Sequence, residues 1–206
     1  MSQTSKLLQS SRLNFYSGMF LAVVWGMFAY AHILQFQKTH ELSPLIFCLS
    51  ETLTAIFFIF RSDPETVSTI PFDWLVAIGG TFAPLFFRPA SWGILPLAST
   101  AIIAGACIQI LALISLNRSF ALVAAKRKIK TAWMYRIVRH PIYASYCLIF
   151  TGYVLTNTTL ANVAIYAVTI GLLCIRIFRE ERHLALDPQY REYMIDVRYR
   201  LIPLIF

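Results

Sequence analysis

Six long stretches nearly free of charge limit what this chain can fold into. They cover residues 14–34, 43–60, 70–87, 92–116, 142–156 and 160–178. A helix that crosses a bilayer needs about 20 mostly apolar residues, within a range of roughly 17–25. Asp73, Gly79-Gly80 and Pro84 interrupt the third stretch, so its limits stay open. The fifth is short, and only Asn157-Thr158-Thr159 separates it from the sixth, so the last two read as a helical hairpin. Soluble domains carry roughly 45–50% apolar and about 25% charged residues, whereas this chain is 58% hydrophobic and 14% charged. The expected fold is all-α: a polytopic membrane helix bundle of about six spans. The polar, basic start leads straight into a run long enough to span, so no cleavable targeting segment is expected.

Lysine and arginine collect on the cytoplasmic side of membrane proteins. With the N-terminus inside, Lys6, Arg12, Arg61, seven cations from Arg118 to Arg139 and six from Arg176 to Arg200 all fall inside, 16 of the 18. Only Lys38 and Arg88 fall outside, and both termini are expected in the cytoplasm. The net charge of +8 follows from this asymmetry; it favours anionic lipid head groups and is no sign of nucleic acid. Cys48, Cys107, Cys147 and Cys174 sit inside apolar runs, with no paired spacing that suggests a disulfide or metal. The four histidines are scattered over different elements, so no metal site is expected.

One polar stretch stands out. Tyr135, Arg136, Arg139, His140 and Pro141 immediately precede the fifth apolar run. Proline suits the first helical turn, which puts Arg139 and His140 at a helix start whose free N–H groups favour an anion. Plain snorkelling at the membrane edge is the simpler account of the basic residues. The sixth run weighs against it, because Arg176, Glu180 and His183 share one helical stripe, with Glu181 beside them. Asp187-Pro188 then caps a short helix over residues 189–198, with Tyr190, Tyr193 and Val197 on one face. Such an amphipathic piece lies at the interface and can cover a site.

At these residues the chain resembles the integral membrane methyltransferases related to isoprenylcysteine carboxyl methyltransferase and the phospholipid methyltransferases. The matching elements are Arg139-His140-Pro141-Ile142-Tyr143, Glu180-Glu181, Tyr190 with Tyr193, and Val197 with Arg200-Leu201-Ile202-Pro203. The resemblance divides the chain into a four-span region, residues 1–116, and a methyltransferase core, residues 117–206. It implies S-adenosyl-L-methionine as cofactor and a lipid or lipid-linked methyl acceptor. The acceptors that the resemblance implies are an isoprenylcysteine carboxylate or a phospholipid-type amine.

By the same resemblance Arg127, Lys128, Ile129 and Lys130 contribute backbone contacts and Tyr135 flanks the cofactor. His140, Pro141, Ile142 and Tyr143 line it, Glu180 binds a polar part of it, and Arg176 contacts the acceptor. Ser145 stands where the family usually has glycine, the spacer after the glutamate pair is short, and Arg198-Tyr199 replaces a proline-containing stretch; these departures leave the acceptor open. The compact form is closer to prokaryotic members, which points to a bacterial inner membrane over the endoplasmic reticulum.

Methyl transfer from a sulfonium mainly requires alignment, which can supply on the order of 7–11 kcal/mol of the barrier. A carboxylate acceptor needs only a positioning cation such as Arg176. An amine, thiol or phenol must lose a proton, which makes His140, Glu181 or His183 candidate bases. Glu51, alone in the second apolar run, should face the bundle interior, while Asp73 and Arg88 read as interfacial anchors. Two other readings stand beside this one: an NADPH-dependent sterol-type reductase, for which the chain is short, and a non-catalytic lipid-binding membrane scaffold.

Overall fold

The computed structural model describes residues 8–40 and 42–206; Lys6, counted above among the inner cations, lies outside them. Seven α-helices form among the described residues: α1 Ser11–Thr39, α2 Leu42–Phe60, α3 Pro71–Phe82, α4 Ser99–Leu116, α5 Pro141–Thr156, α6 Leu160–Leu184 and α7 Pro188–Asp196. The one sheet is a two-residue antiparallel pair, β1 Thr66–Val67 with β2 Ala125–Lys126.

Among the described residues four helical segments are long and apolar enough to cross a membrane, and two shorter apolar ones accompany them, Pro71–Phe86 and Pro141–Thr156. The outer surface fits that role. Phe15, Phe20, Val23, Met27, Leu75 and Leu160 are exposed while Ser50, Ser145, Asn162 and Thr169 are fully buried, the reverse of a soluble surface. The chain is an integral, multi-pass membrane protein.

Local chemistry sets the limits of the elements. Pro71 opens α3 at its first turn, and Pro84 converts the continuation into a 3-10 turn, Ala83–Phe86. The fourth helix begins at Ser99, seven residues later than its apolar run. Residues 92–98 instead bond to the α5–α6 link: Leu95 N–H donates to Leu155 O (3.0 Å) and Thr158 N–H to Trp92 O (3.0 Å). Thr159 caps α6 by accepting from Asn162 N–H (3.1 Å). Asp187 caps α7 through Gln189 N–H (2.9 Å) as its sequence suggests, but the helix stops at Asp196 rather than Arg198.

The helix ends fall into two groups. At one end of the bundle Ser62 N–H donates to Arg118 O (2.8 Å) and Asn14 Nδ2 to Asp63 (2.8 Å). At the other, Arg88 N–H donates to Asn162 Oδ1 (3.1 Å) and Ala90 N–H to Asn157 Oδ1 (2.9 Å). Successive helices therefore run in alternating directions between two rims, and the cation-rich segments collect at the first. Pairing is not confined to chain neighbours: α1 packs on α2, but α5 packs chiefly on α4 and α6 on α3. The last two helices thus form a hairpin by connection, splayed apart by their earlier partners.

Close approach of α4 and α5 needs small residues. A Cβ on Gly105 would come within 2.7 Å of Ile149 Cγ1 and 3.0 Å of the Ser145 carbonyl oxygen, and one on Gly152 within 2.8 Å of Ala98 O. Ser145, where the resemblance leads one to expect glycine, is accommodated because Gly105 faces it, and its hydroxyl turns back to Ile142 O (2.6 Å). The core between the helices gathers Trp25, Phe58, Phe120, Tyr143, Leu173 and Ile177.

One of the two readings of acids inside apolar runs is corrected. Asp73 is not an interfacial anchor: it is 5% exposed, paired with Arg179 Nε (2.5 Å) and hydrogen-bonded by the Ser68 hydroxyl. An acid inside an apolar run needs a partner, and α6 supplies one across the bundle. Glu51 lies inside as expected, but its Oε2 has no hydrogen-bond partner, so no bond from it to another helix is formed there.

Candidate active site

Proline at the first turn of α5 keeps the preceding His140 out of helical geometry (φ −127°, ψ 63°), and the C-terminal tail runs alongside. Arg139 N–H donates to Tyr199 O and His140 N–H to Arg200 O, both at 2.9 Å. The Arg139 guanidinium reaches the carbonyls beyond α7, Val197 O (2.8 Å) and Arg198 O (2.9 Å), where a helix leaves acceptors unfilled and favours a cation. Its Nε also pairs with Glu181 Oε1 (2.7 Å), which lies 3.1 Å from His140 Nε2, while Arg200 Nε holds Glu181 Oε2 (2.9 Å). The anion that Arg139 and His140 meet is therefore the protein's own Glu181. This network docks the tail on α5 and α6.

Glu180, one residue earlier, faces another way. Tyr143 donates its hydroxyl to Glu180 Oε2 (2.5 Å). The His140 ring stacks on the Tyr143 ring with centroids 5.4 Å apart, and the Arg176 guanidinium lies 5.1 Å from its centroid. Arg176 also donates to Leu122 O (2.5 Å) and Thr81 Oγ1 (3.1 Å). Tyr193 donates to Tyr135 O (2.6 Å), which fixes α7 over the loop between α4 and α5. Lys126 ties β2 to the α7 cap through Asp187 (2.5 Å) and to Glu65 (2.5 Å), and it is chiefly Lys126 that holds the Asp187 carboxyl below its ordinary range. Burial, and then Glu180, push the Tyr135 phenol well above its usual value; burial does the same for Tyr190 and Tyr193. These phenols stay neutral at physiological pH and serve as donors and aromatic walls.

The groups enclose a cavity of about 940 Å3, its open mouth included, at the upper end of the usual size for small-molecule sites. Arg127, Lys128, Ile129, Lys130, Tyr135, His140, Ile142, Tyr143, Arg176 and Glu180 all line it. Pro141 does not; it is buried at the first turn of α5. Of the candidate bases, Glu181 is taken up by Arg139 and Arg200. His183 is absent from the lining, and its Nε2 lies 3.1 Å from Thr66 Oγ1 at the rim. The sequence reading passed over Trp25 and Thr81, which reach the cavity from α1 and α3; nothing in an apolar helix sets such residues apart. Among the described residues no three His, Cys, Asp or Glu side chains come together as a metal cluster.

The helices form a membrane bundle with an aromatic, charge-rimmed cavity at one end. Residues 94–190 match the phospholipid methyltransferase family, and that stretch of the chain is a membrane methyltransferase domain of this family. The match begins before α4 and ends at Tyr190, so Tyr193, Val197 and Arg200 lie beyond it. No curated protein matches the chain.

Proposed function

We propose that the cavity binds S-adenosyl-L-methionine from the cytoplasmic side and that the protein methylates a lipid or lipid-linked acceptor, a phospholipid-type amine being the first candidate. The observation that carries this reading is the convergence of the loop 125–136, the starts of α5 and α7 and the end of α6 on one cavity within a phospholipid methyltransferase match. The lining suits the cofactor's parts. Tyr135, Tyr190 and Tyr193 offer faces for an adenine ring. Glu180 and the aromatic Tyr143 suit a group carrying positive charge, and the cationic Lys128 and Lys130 suit a carboxylate. When bound, the cofactor supplies an electrophilic methyl group on a cationic sulfur.

The protein's own contribution is alignment and exclusion of water. Tyr143, held by Glu180, His140 and Arg176, fixes the wall between the cofactor and acceptor sides, and misplacement of such a wall by even ~1 Å can lower turnover by on the order of 10²-fold. Arg176 stands on the acceptor side, where Thr81 and Leu122 O restrain it. Tyr190 and Tyr193, docked by the Glu181 network, close the site over its wet face. The apolar lining from Trp25, Leu116 and Phe120 favours an acceptor that comes from the bilayer. With 16 of 18 cations on the inner side, the cavity opens to the cytoplasm.

Incubation of the purified protein with methyl-labelled S-adenosylmethionine and total bacterial lipid extract should place label in the organic phase, on an amine-bearing phospholipid. Label on a prenylated cysteine peptide in place of lipid would redirect the acceptor to a carboxylate. No transfer, with binding of NADPH in its place, would favour a reductase.

A further inference from the structure

Three arginines line the cavity, and two of them have their guanidiniums committed to the protein. Arg139 holds Glu181 and the carbonyls after α7, and Arg176 holds Thr81 and Leu122. Arg127 differs. It is 6% exposed; its Nη2 donates to Asn14 Oδ1 at 3.1 Å, but Nε and Nη1 are buried without any hydrogen-bond partner. Arg61 repels it and Asp63 attracts it, and burial together with Arg61 draws its pKa down to about 10. Asp63 offers incomplete relief, because its oxygens already accept from Asn14 (2.8 Å) and Ser11 (2.5 Å). Arg61, in turn, spends Nη2 on Asn14 O (2.8 Å) and Ser17 (2.6 Å). Two neighbouring guanidiniums thus share one carboxylate; Arg61 keeps one buried donor, Nε, without a partner, and Arg127, on the cavity wall, keeps two. A buried charge left in this state is strongly unfavourable unless an anion completes it.

We propose that Arg127 is the anion-binding residue of the acceptor subsite and that its anion is the phosphodiester of a lipid head group. Guanidinium matches phosphate oxygens better than any other side chain does. Arg127 lies beside Asn14 in the first turn of α1, and its neighbour Arg61 directly follows the end of α2. These are the positions where the apolar helices leave the hydrocarbon and head-group phosphates begin. Identification of this lipid as the methyl acceptor rests on the methyltransferase reading; the anion site itself rests on the unfilled donors. The assignment also divides the two cavity arginines by role: Arg176 steadies the wall at Tyr143, and Arg127 fixes the head group.

Calorimetry on the full chain in mild detergent tests this with four probes: dibutyryl phosphatidylglycerol, dibutyrylglycerol, inorganic phosphate and S-adenosylhomocysteine. The wild-type protein is expected to prefer the phosphodiester lipid over the diacylglycerol by about tenfold or more. Arg127→Gln should shrink that preference to within about twofold, with the thermal midpoint equal or higher, since a buried uncompensated cation is gone. Arg127→Lys, which keeps the charge, should retain part of the preference and serves if the glutamine variant does not fold. A wild-type protein without the preference, or a glutamine variant that keeps it, overturns the proposal. So does a parallel fall in S-adenosylhomocysteine affinity, which would make Arg127 a cofactor ligand, or displacement of the lipid by inorganic phosphate at equal concentration. Failure of the methyltransferase reading would register separately, as absence of S-adenosylhomocysteine binding in every protein with the lipid results intact.

Discussion

Glu181→Ala is expected to lower stability by about 3–5 kcal/mol, the usual consequence of removing one partner from a buried ion pair. Glu181 and Arg139 are 4% and 6% exposed, so the arginine left behind can neither reach water nor find another carboxylate. Arg200 loses its partner at 2.9 Å and His140 its contact at 3.1 Å, which undocks the C-terminal tail from α5. Thermal unfolding in mild detergent reads the effect directly. A midpoint within a degree or two of wild type would mean that the tail is held by its backbone bonds to Arg139 and His140 alone, and that the ion network is dispensable.

The adjacent residue should behave in the opposite way. Glu180→Gln is expected to leave the thermal midpoint close to wild type and to weaken S-adenosylhomocysteine binding by about 10–100-fold, as loss of a hydrogen bond to a charged group implies. Among the described residues the side-chain hydrogen bond of Glu180 is the one it accepts from the Tyr143 hydroxyl, and glutamine can still accept that bond. What disappears is the negative charge facing the cavity. Unchanged calorimetric affinity would remove Glu180 from the cofactor site. Two neighbouring glutamates with separable phenotypes, one in stability and one in binding, are hard to reconcile with a scaffold that merely retained the fold, because a scaffold has no use for the second.

Much of this arrangement is legible in the sequence because membrane helices declare themselves. Apolar runs, the proline opening α5, the cap at Asp187 and the stripe Arg176–Glu180 are local features; the proline, the cap and the stripe took the expected form, while the third and fourth runs yielded shorter helices than their apolar lengths. Features that depend on what a residue meets across the bundle were not legible. Asp73 pairs with Arg179 of a helix about a hundred positions on, and its run offered only the hint that a lone acid inside a span wants a partner. Arg139 and His140 announced an anion site, but nothing local told that Glu181 would fill it. Trp25 and Thr81 enter the cavity wall because α1 and α3 pack where they do, and Arg127 was singled out only for its backbone until the burial of its side chain against Asn14 set it apart. Pairwise packing decided these cases, and that is also why α5 and α6, adjacent in the chain, lean on α4 and α3 rather than on each other.

The most direct test of the central claim is an experimental structure of the full chain with S-adenosylhomocysteine bound. The nucleotide is expected in the cavity between the starts of α5 and α7 and the end of α6, with Tyr135 and Tyr143 against it and Glu180 within hydrogen-bond reach. Density for the ligand anywhere else, or a filled and closed space between His140 and Glu180, would contradict it.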